Sequence, residues 1–200
     1  MLVLASASPR RQELLRNAGI LFVVQVADIP EIPAEGEAPR IFAERMAREK
    51  ALAVSRQRPE DCVLGADTIV VVDGKTLGKP CDEADAARML RLLSGRRHQV
   101  ITGVCLAAPQ LRTGNRKPET VFEDLRSETT EVVMCPLTEE DIRSYISTGE
   151  PMDKAGAYAI QGIASRWIPR IEGDYSNVVG LPLALVHKML REHGMACGEM

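Results

Sequence analysis

Aromatic residues are scarce in this 200-residue sequence: one Trp, three Tyr and three Phe leave the core to aliphatic side chains and Met. No apolar run approaches the roughly 18 residues of a membrane-spanning helix. The opening Met1-Leu2-Val3-Leu4-Ala5-Ser6 lacks the basic flank and long apolar stretch of a secretory signal, so a cytoplasmic protein is expected. Five cysteines are too widely spaced for any CxxC clip, and their odd number fits reduced thiols rather than a disulfide framework. His187 and His193 are six positions apart, off the i, i+4 spacing that puts two ligands on one helical face, and His98 stands alone. No histidine or cysteine metal site is therefore expected. Lys+Arg total 25 against Asp+Glu 28, a net charge of −3, so no excess of positive charge points to a nucleic-acid partner. Neither a GxxxxGK[ST] loop nor a GxGxxG following a strand is present, which disfavours P-loop and dinucleotide-binding folds.

What is present reads as one α/β domain over residues 1–200, a mixed sheet flanked by helices. Leu2 to Ala5 is a short apolar run that predicts a buried strand. Ser8-Pro9 starts a helix that ends at Gly19, with a second strand over Leu21 to Val26 and a Pro-containing loop over Asp28 to Glu37. Pro39 to Arg56 is helical, with Ala43, Met46, Ala47, Ala51 and Val54 on one face. Cys62 to Val72 predicts a strand closed by an Asp73-Gly74 hairpin turn, and Asp82 to Leu93 a helix with acids in its first turn. Strands over His98 to Ala107 and Val121 to Met134 enclose a polar loop at Pro109 to Pro118. Thr138 with Asp141 approximates a capping box for a helix through Ile146. Gly156 to Gly180 reads as strand-like, and Pro182 starts a last helix through Arg191.

The first chemically informative feature is Ser6-Ala7-Ser8-Pro9-Arg10-Arg11. Two arginines in a first helical turn oppose the helix dipole, whereas hydroxyls, first-turn N–H groups and guanidiniums together suit a phosphate. The alternative is that both arginines splay into solvent beside an ordinary cap. Lys50 falls inside the apolar stripe of its helix, where it must snorkel outward or meet an anion. Asp67 interrupts a long β-branched strand, and a carboxylate there is costly to bury unless paired, hydrogen-bonded or metal-bound. It either caps a turn or serves as a base or magnesium ligand. Lys79, in Leu77-Gly78-Lys79-Pro80, follows the hairpin returning from the Asp67 strand, though a solvated loop lysine is common. Ser94-Gly95-Arg96-Arg97-His98 is a further basic turn with the same two readings. Asp153 to Gly162 surrounds Gln161 with small residues that permit either close backbone approach to a ligand or a tight turn. Together these features point to a metal-assisted enzyme acting on a phosphate-bearing small molecule.

Ser6-Ala7-Ser8-Pro9-Arg10-Arg11, Gly65-Ala66-Asp67-Thr68, Leu77-Gly78-Lys79-Pro80 and Ser94-Gly95-Arg96 closely resemble the Maf family of nucleoside triphosphate pyrophosphatases. So do Gly149-Glu150-Pro151-Met152-Asp153-Lys154-Ala155-Gly156, Gly173-Asp174-Tyr175 and Val179-Gly180-Leu181-Pro182. The resemblance implies an inosine triphosphatase-like mixed α/β fold and hydrolysis of a nucleoside triphosphate to its monophosphate and pyrophosphate. It also implies a divalent cation, Mg²⁺ or Mn²⁺, and a homodimer. Asp67 takes the family's proton-acceptor position, Ser8, Arg10, Arg11, Lys50 and Lys79 its phosphate-binding positions, and Asp67 with Glu31 its acidic metal site. Arg10, Thr68 and Gln161 match the branch that acts on dTTP and UTP, and a Gln amide suits the imide edge of uracil or thymine. Ala159 departs from the usual glycine; a positive φ there would strain it and shift Gln161. The resemblance leaves two other functions open: a nucleotide-binding regulator of cell division and septum formation without turnover, and a phosphatase releasing single phosphates.

Overall fold

The computed structural model describes residues 1–109 and 121–195. Its strands are β1 (Leu2–Leu4), β2 (Val23–Val24), β3 (Cys62–Val72), β4 (Lys75–Leu77), β5 (Arg97–Pro109), β6 (Val121–Val133) and β7 (Arg170–Glu172). Its helices are α1 (Pro9–Asn17), α2 (Pro39–Ser55), α3 (Glu83–Leu93), α4 (Glu139–Ile146), α5 (Tyr175–Val179) and α6 (Leu183–Glu192). The seven strands form one mixed sheet of order β2-β1-β3-β5-β6-β7, with β4 paired to β3. Strand β1 runs parallel to both β2 and β3, and β3–β4 and β6–β7 are antiparallel. The α/β class and mixed sheet predicted from the sequence are both present.

The described residues group into two compact units, the first within Met1–Asp67, Thr102–Glu128 and Gly180–Met200, the second within Thr68–Ile101 and Thr129–Val179. In the first, strand side chains alternate between two cores, as the twofold strand period requires. Leu4, Cys62, Leu64, Ala66, Val104 and Leu106 pack with Leu15 of α1 and Val186, Met189 and Leu190 of α6. Val3, Ala5, Val63, Cys105 and Ala107 pack on the opposite face with Ala47, Ala51 and Val54 of α2. The register Val3↔Val63 and Leu4↔Leu64 keeps the two sets aligned. Burial on both faces explains why these strands read as unbroken apolar runs.

Two glycines bring α2 unusually close to the sheet. A Cβ on Gly65 would lie 2.2 Å from the Ala47 carbonyl oxygen, and one on Gly103 would lie 2.3 Å from that of Ala43. Asp67 follows Gly65 by two residues and therefore shares its strand face, while Lys50 lies three residues beyond Ala47 on the helix. The close approach sets these two side chains against each other.

In the second unit, Asp73 (φ 49°) and Gly74 (φ 73°) make the hairpin turn predicted from their identity. Asp82 caps α3 by accepting from the Asp85 N–H at 2.7 Å, and Thr138 and Asp141 form the expected capping box on α4. Two expectations need correction. The strand expected over 21–26 shrinks to Val23–Val24, although Gln25 N still donates to the Leu4 carbonyl. The stretch 156–180 is not strand-like: it holds 3₁₀ turns at Ala155–Ala157 and Ile163–Trp167, β7 and α5. Gly156, Ala157 and Gly173 all take positive φ, which breaks an extended run. The loop expected at Pro109 to Pro118 lies almost wholly outside the described residues, as does Cys197; Cys62, Cys81, Cys105 and Cys135 are free thiols. Among the described residues no helix is long and apolar enough to cross a membrane.

Candidate active site

At the end of β1 the chain turns through Ser6-Ala7-Ser8 into α1. Ser8 occupies the N-cap, yet its side chain caps no backbone N–H; instead its own N–H donates to Ser6 Oγ at 3.2 Å. Arg10 is half-buried. Arg11 turns inward: Nη1 donates to Ser6 Oγ at 3.1 Å and Nε to the Gly180 carbonyl at 2.8 Å. Only 9% of Arg11 is exposed. Burial pulls its pKa down, with Asp67 and Glu31 pulling the other way, which puts both carboxylates within electrostatic reach of the guanidinium. The arginine pair is therefore not simply splayed into solvent; one member is built into the turn.

Lys50 and Asp67 are 7% and 6% exposed. Lys50 Nζ lies 2.6 Å from Asp67 Oδ1 and 2.5 Å from Glu31 Oε1. Of the two readings open to Lys50, it takes the anion rather than solvent. Burial pushes the Asp67 carboxyl above the ordinary carboxylate range; Lys50 and Arg11 oppose that shift, and Glu31 adds to it. The result is an ammonium bridging a buried acid and an exposed one, with a guanidinium nearby. Such a group can take a proton at one atom and balance negative charge at others.

Glu31 and Asp67 supply two carboxylates converging on one cation. Hard oxygen donors of this kind suit Mg²⁺ or Mn²⁺, which need few protein ligands when water and phosphate oxygens complete the shell. Among the described residues no group of three or more His, Cys, Asp or Glu is placed to hold a metal by itself. The donor set fits a cation that arrives with a phosphorylated ligand.

The first unit thus gathers Ser8, Arg10, Arg11, Glu31, Lys50 and Asp67. Thr68, Lys79 and Gln161 belong to the second. There Thr68 is half-buried, next after Asp67 along β3, and Lys79 is exposed, two residues past β4. The Gly156 N–H donates to the carbonyl of Gly78, Lys79's neighbour, at 3.0 Å. Gln161 is exposed in a turn closed by the Gly162 N–H donating to the Ala159 carbonyl at 3.1 Å. The strain feared at Ala159 does not arise: Ala157, not Ala159, is the non-glycine residue of this segment with positive φ.

Sequence reasoning missed Tyr145 and Glu150, which fasten that turn. Tyr145 OH donates to Glu150 Oε1 at 2.8 Å and accepts from the Ala159 N–H at 3.1 Å. The Ile163 N–H donates to both Glu150 carboxylate oxygens, at 3.1 and 3.2 Å. Tyr145 carried no sequence signal beyond its place on a core-facing helix.

A mixed α/β sheet thus carries cations and paired acids close to a strand-to-helix turn. Residues 1–193 match the Maf-like protein family, and the chain belongs to it. It is 55% identical over 194 residues to the dTTP/UTP pyrophosphatase of Koribacter versatilis, covering 97% of this chain and 95% of that one. It is 52% identical to the dTTP/UTP pyrophosphatase of Geobacter sulfurreducens over 193 residues, covering 96% of each. Among solved structures, the Staphylococcus aureus Ham1 protein aligns with a TM-score of 0.46 at 13% identity, over 96% of this chain and 98% of that one.

Proposed function

We propose that this protein hydrolyses dTTP and UTP to the nucleoside monophosphate and pyrophosphate, with Asp67 as the proton acceptor. The observation that carries the reading is the buried Asp67 carboxylate held on Lys50 Nζ with Glu31 on the same ammonium. The names borne by relatives at 55% and 52% identity supply the substrate class.

In this reading Ser8, Arg10 and Arg11 receive the triphosphate oxygens at the start of α1, where first-turn N–H groups and guanidiniums both favour anions. Lys50 and Lys79 add positive charge where negative charge builds up on phosphate oxygens in the transition state. Asp67 orients a water in line with the α-phosphorus and takes its proton. The new bond joins the water oxygen to that phosphorus, and the bond to the bridging oxygen breaks as pyrophosphate leaves. Glu31 and Asp67 would hold Mg²⁺ or Mn²⁺, which supplies Lewis-acid neutralisation of phosphate charge when bound. Thr68 and Gln161, with Arg10, select the base, the Gln amide pairing with the imide edge of thymine or uracil.

Incubation with dTTP, UTP and dGTP in the presence of Mg²⁺ tests this reading. Equal amounts of monophosphate and pyrophosphate are expected, with kcat/KM at least about tenfold higher for the pyrimidine triphosphates than for dGTP, the discrimination of one or two hydrogen bonds. Faster turnover of dGTP, release of orthophosphate, or dTTP bound without turnover each overturns it.

A further inference from the structure

The turn that carries Gln161 is held at both ends by one small side-chain network. Its N-terminal end is fixed where the Ala159 N–H donates to Tyr145 OH at 3.1 Å. Its C-terminal end is fixed where the Ile163 N–H donates to both oxygens of Glu150. Tyr145 OH joins the two anchors by donating to Glu150 Oε1 at 2.8 Å. The carboxylate sits so close to the backbone that a Cβ on Gly162 would lie 2.3 Å from Glu150 Oε1, so a side chain at 162 would displace it.

The anchors themselves are rigid. Tyr145 is fully buried on α4, and its ring meets Trp167 edge-on, with centroids 5.4 Å apart and an interplanar angle of 75°. Burial and the bond to Glu150 both raise the phenol pKa, so the hydroxyl stays a donor across the working pH range. Glu150 opens a 3₁₀ turn, Glu150–Asp153, whose preceding residue Gly149 has φ 76°. Gln161, exposed between the two anchor points, makes neither of these bonds itself.

We infer that Tyr145 and Glu150 are positioning residues for base selection: they fix the backbone on either side of Gln161 so that its amide meets the pyrimidine at one place and angle. This rests on the reading of Gln161 given above. An amide that reads a base through two hydrogen bonds loses both when its backbone drifts, because hydrogen bonds weaken steeply with misalignment. A purine triphosphate, whose fused ring carries its pairing edge to a different place, gains less from an amide fixed at that point and is spared most of the loss. Loosening the clamp therefore lowers selectivity rather than turnover in general.

The test compares Tyr145→Phe, Glu150→Gln and Gln161→Ala with the unmodified protein, measuring kcat and KM for dTTP and dGTP together with the melting temperature. Tyr145→Phe keeps the ring against Trp167 and deletes only the hydroxyl; Glu150→Gln keeps the shape and halves the acceptors for Ile163. Each is expected to lower the dTTP/dGTP ratio of kcat/KM about three- to tenfold, the range of one lost hydrogen bond, mainly through KM for dTTP. Gln161→Ala is expected to lower it at least as much. If Gln161→Ala lowers the ratio while both clamp variants leave it unchanged, whatever their melting temperatures, the clamp has no part in selection and the inference falls alone. An unchanged ratio in Gln161→Ala overturns the assignment of Gln161 and the clamp with it.

Discussion

Replacing Asp67 with Asn lowers kcat for dTTP by about 10²-fold or more while the protein stays folded. The carboxamide keeps the size of the side chain and an oxygen for Lys50, but it cannot take a proton from water. Glu31 still holds Lys50, so the ammonium is not left alone. Stability should not fall at neutral pH, and linkage gives the sign. Burial raises the folded-state pKa of Asp67 above its ordinary value, so its ionisation weakens the fold as pH climbs through that raised value, and Asn removes this cost. A melting curve at neutral pH checks the fold, and a steady-state assay checks the rate. Added Mg²⁺ restores little of the lost rate if Asp67 is the base, whereas full recovery would reduce it to a metal ligand. Near-normal turnover in the variant would remove Asp67 from the chemistry altogether.

Lys50→Met has a different signature. Methionine fills the space of the lysine stem but withdraws the charge from Asp67 Oδ1 and Glu31 Oε1. Turnover falls by about 10²-fold if the ammonium stabilises transition-state charge, the scale seen when one such donor is lost. Lys50 is also the largest influence lowering the Asp67 pKa, ahead of Arg11, so its removal lets burial push that pKa still higher. Because the base must be ionised to work, the acid limb of the kcat/KM profile moves to higher pH. A kcat/KM profile from pH 5 to pH 9 reads this directly. An acid limb that stays in place would mean that Asp67 does not titrate in the rate-determining step.

Much of this architecture is written locally. Asp82 and Thr138 mark helix starts because a cap is a contact between near neighbours, and Asp73-Gly74 marks a hairpin because few residues accept two positive φ values in succession. The stripe of Ala43, Met46, Ala47 and Ala51 gives α2 its buried face. Asp67 stands out because a carboxylate inside a run of β-branched residues needs a physical reason. Gly156 to Gly180 looks extended in sequence but is not, because glycines at positive φ and short 3₁₀ turns leave no period to find. Lys50 was ambiguous because a lysine on an apolar stripe looks the same whether it snorkels or meets an acid; the answer depends on Gly65 and Gly103 letting α2 approach the sheet. Glu31 lies in an irregular loop, where only the resemblance singled it out. Arg11's inward bond to Gly180 joins residues at opposite ends of the chain, which no local pattern encodes.

The account turns on where water attacks. Hydrolysis of dTTP in ¹⁸O-enriched water, followed by mass spectrometry of both products, locates that bond directly. Attack at the α-phosphorus places the label in dTMP and leaves pyrophosphate unlabelled. Label in pyrophosphate, or in free orthophosphate, would contradict it.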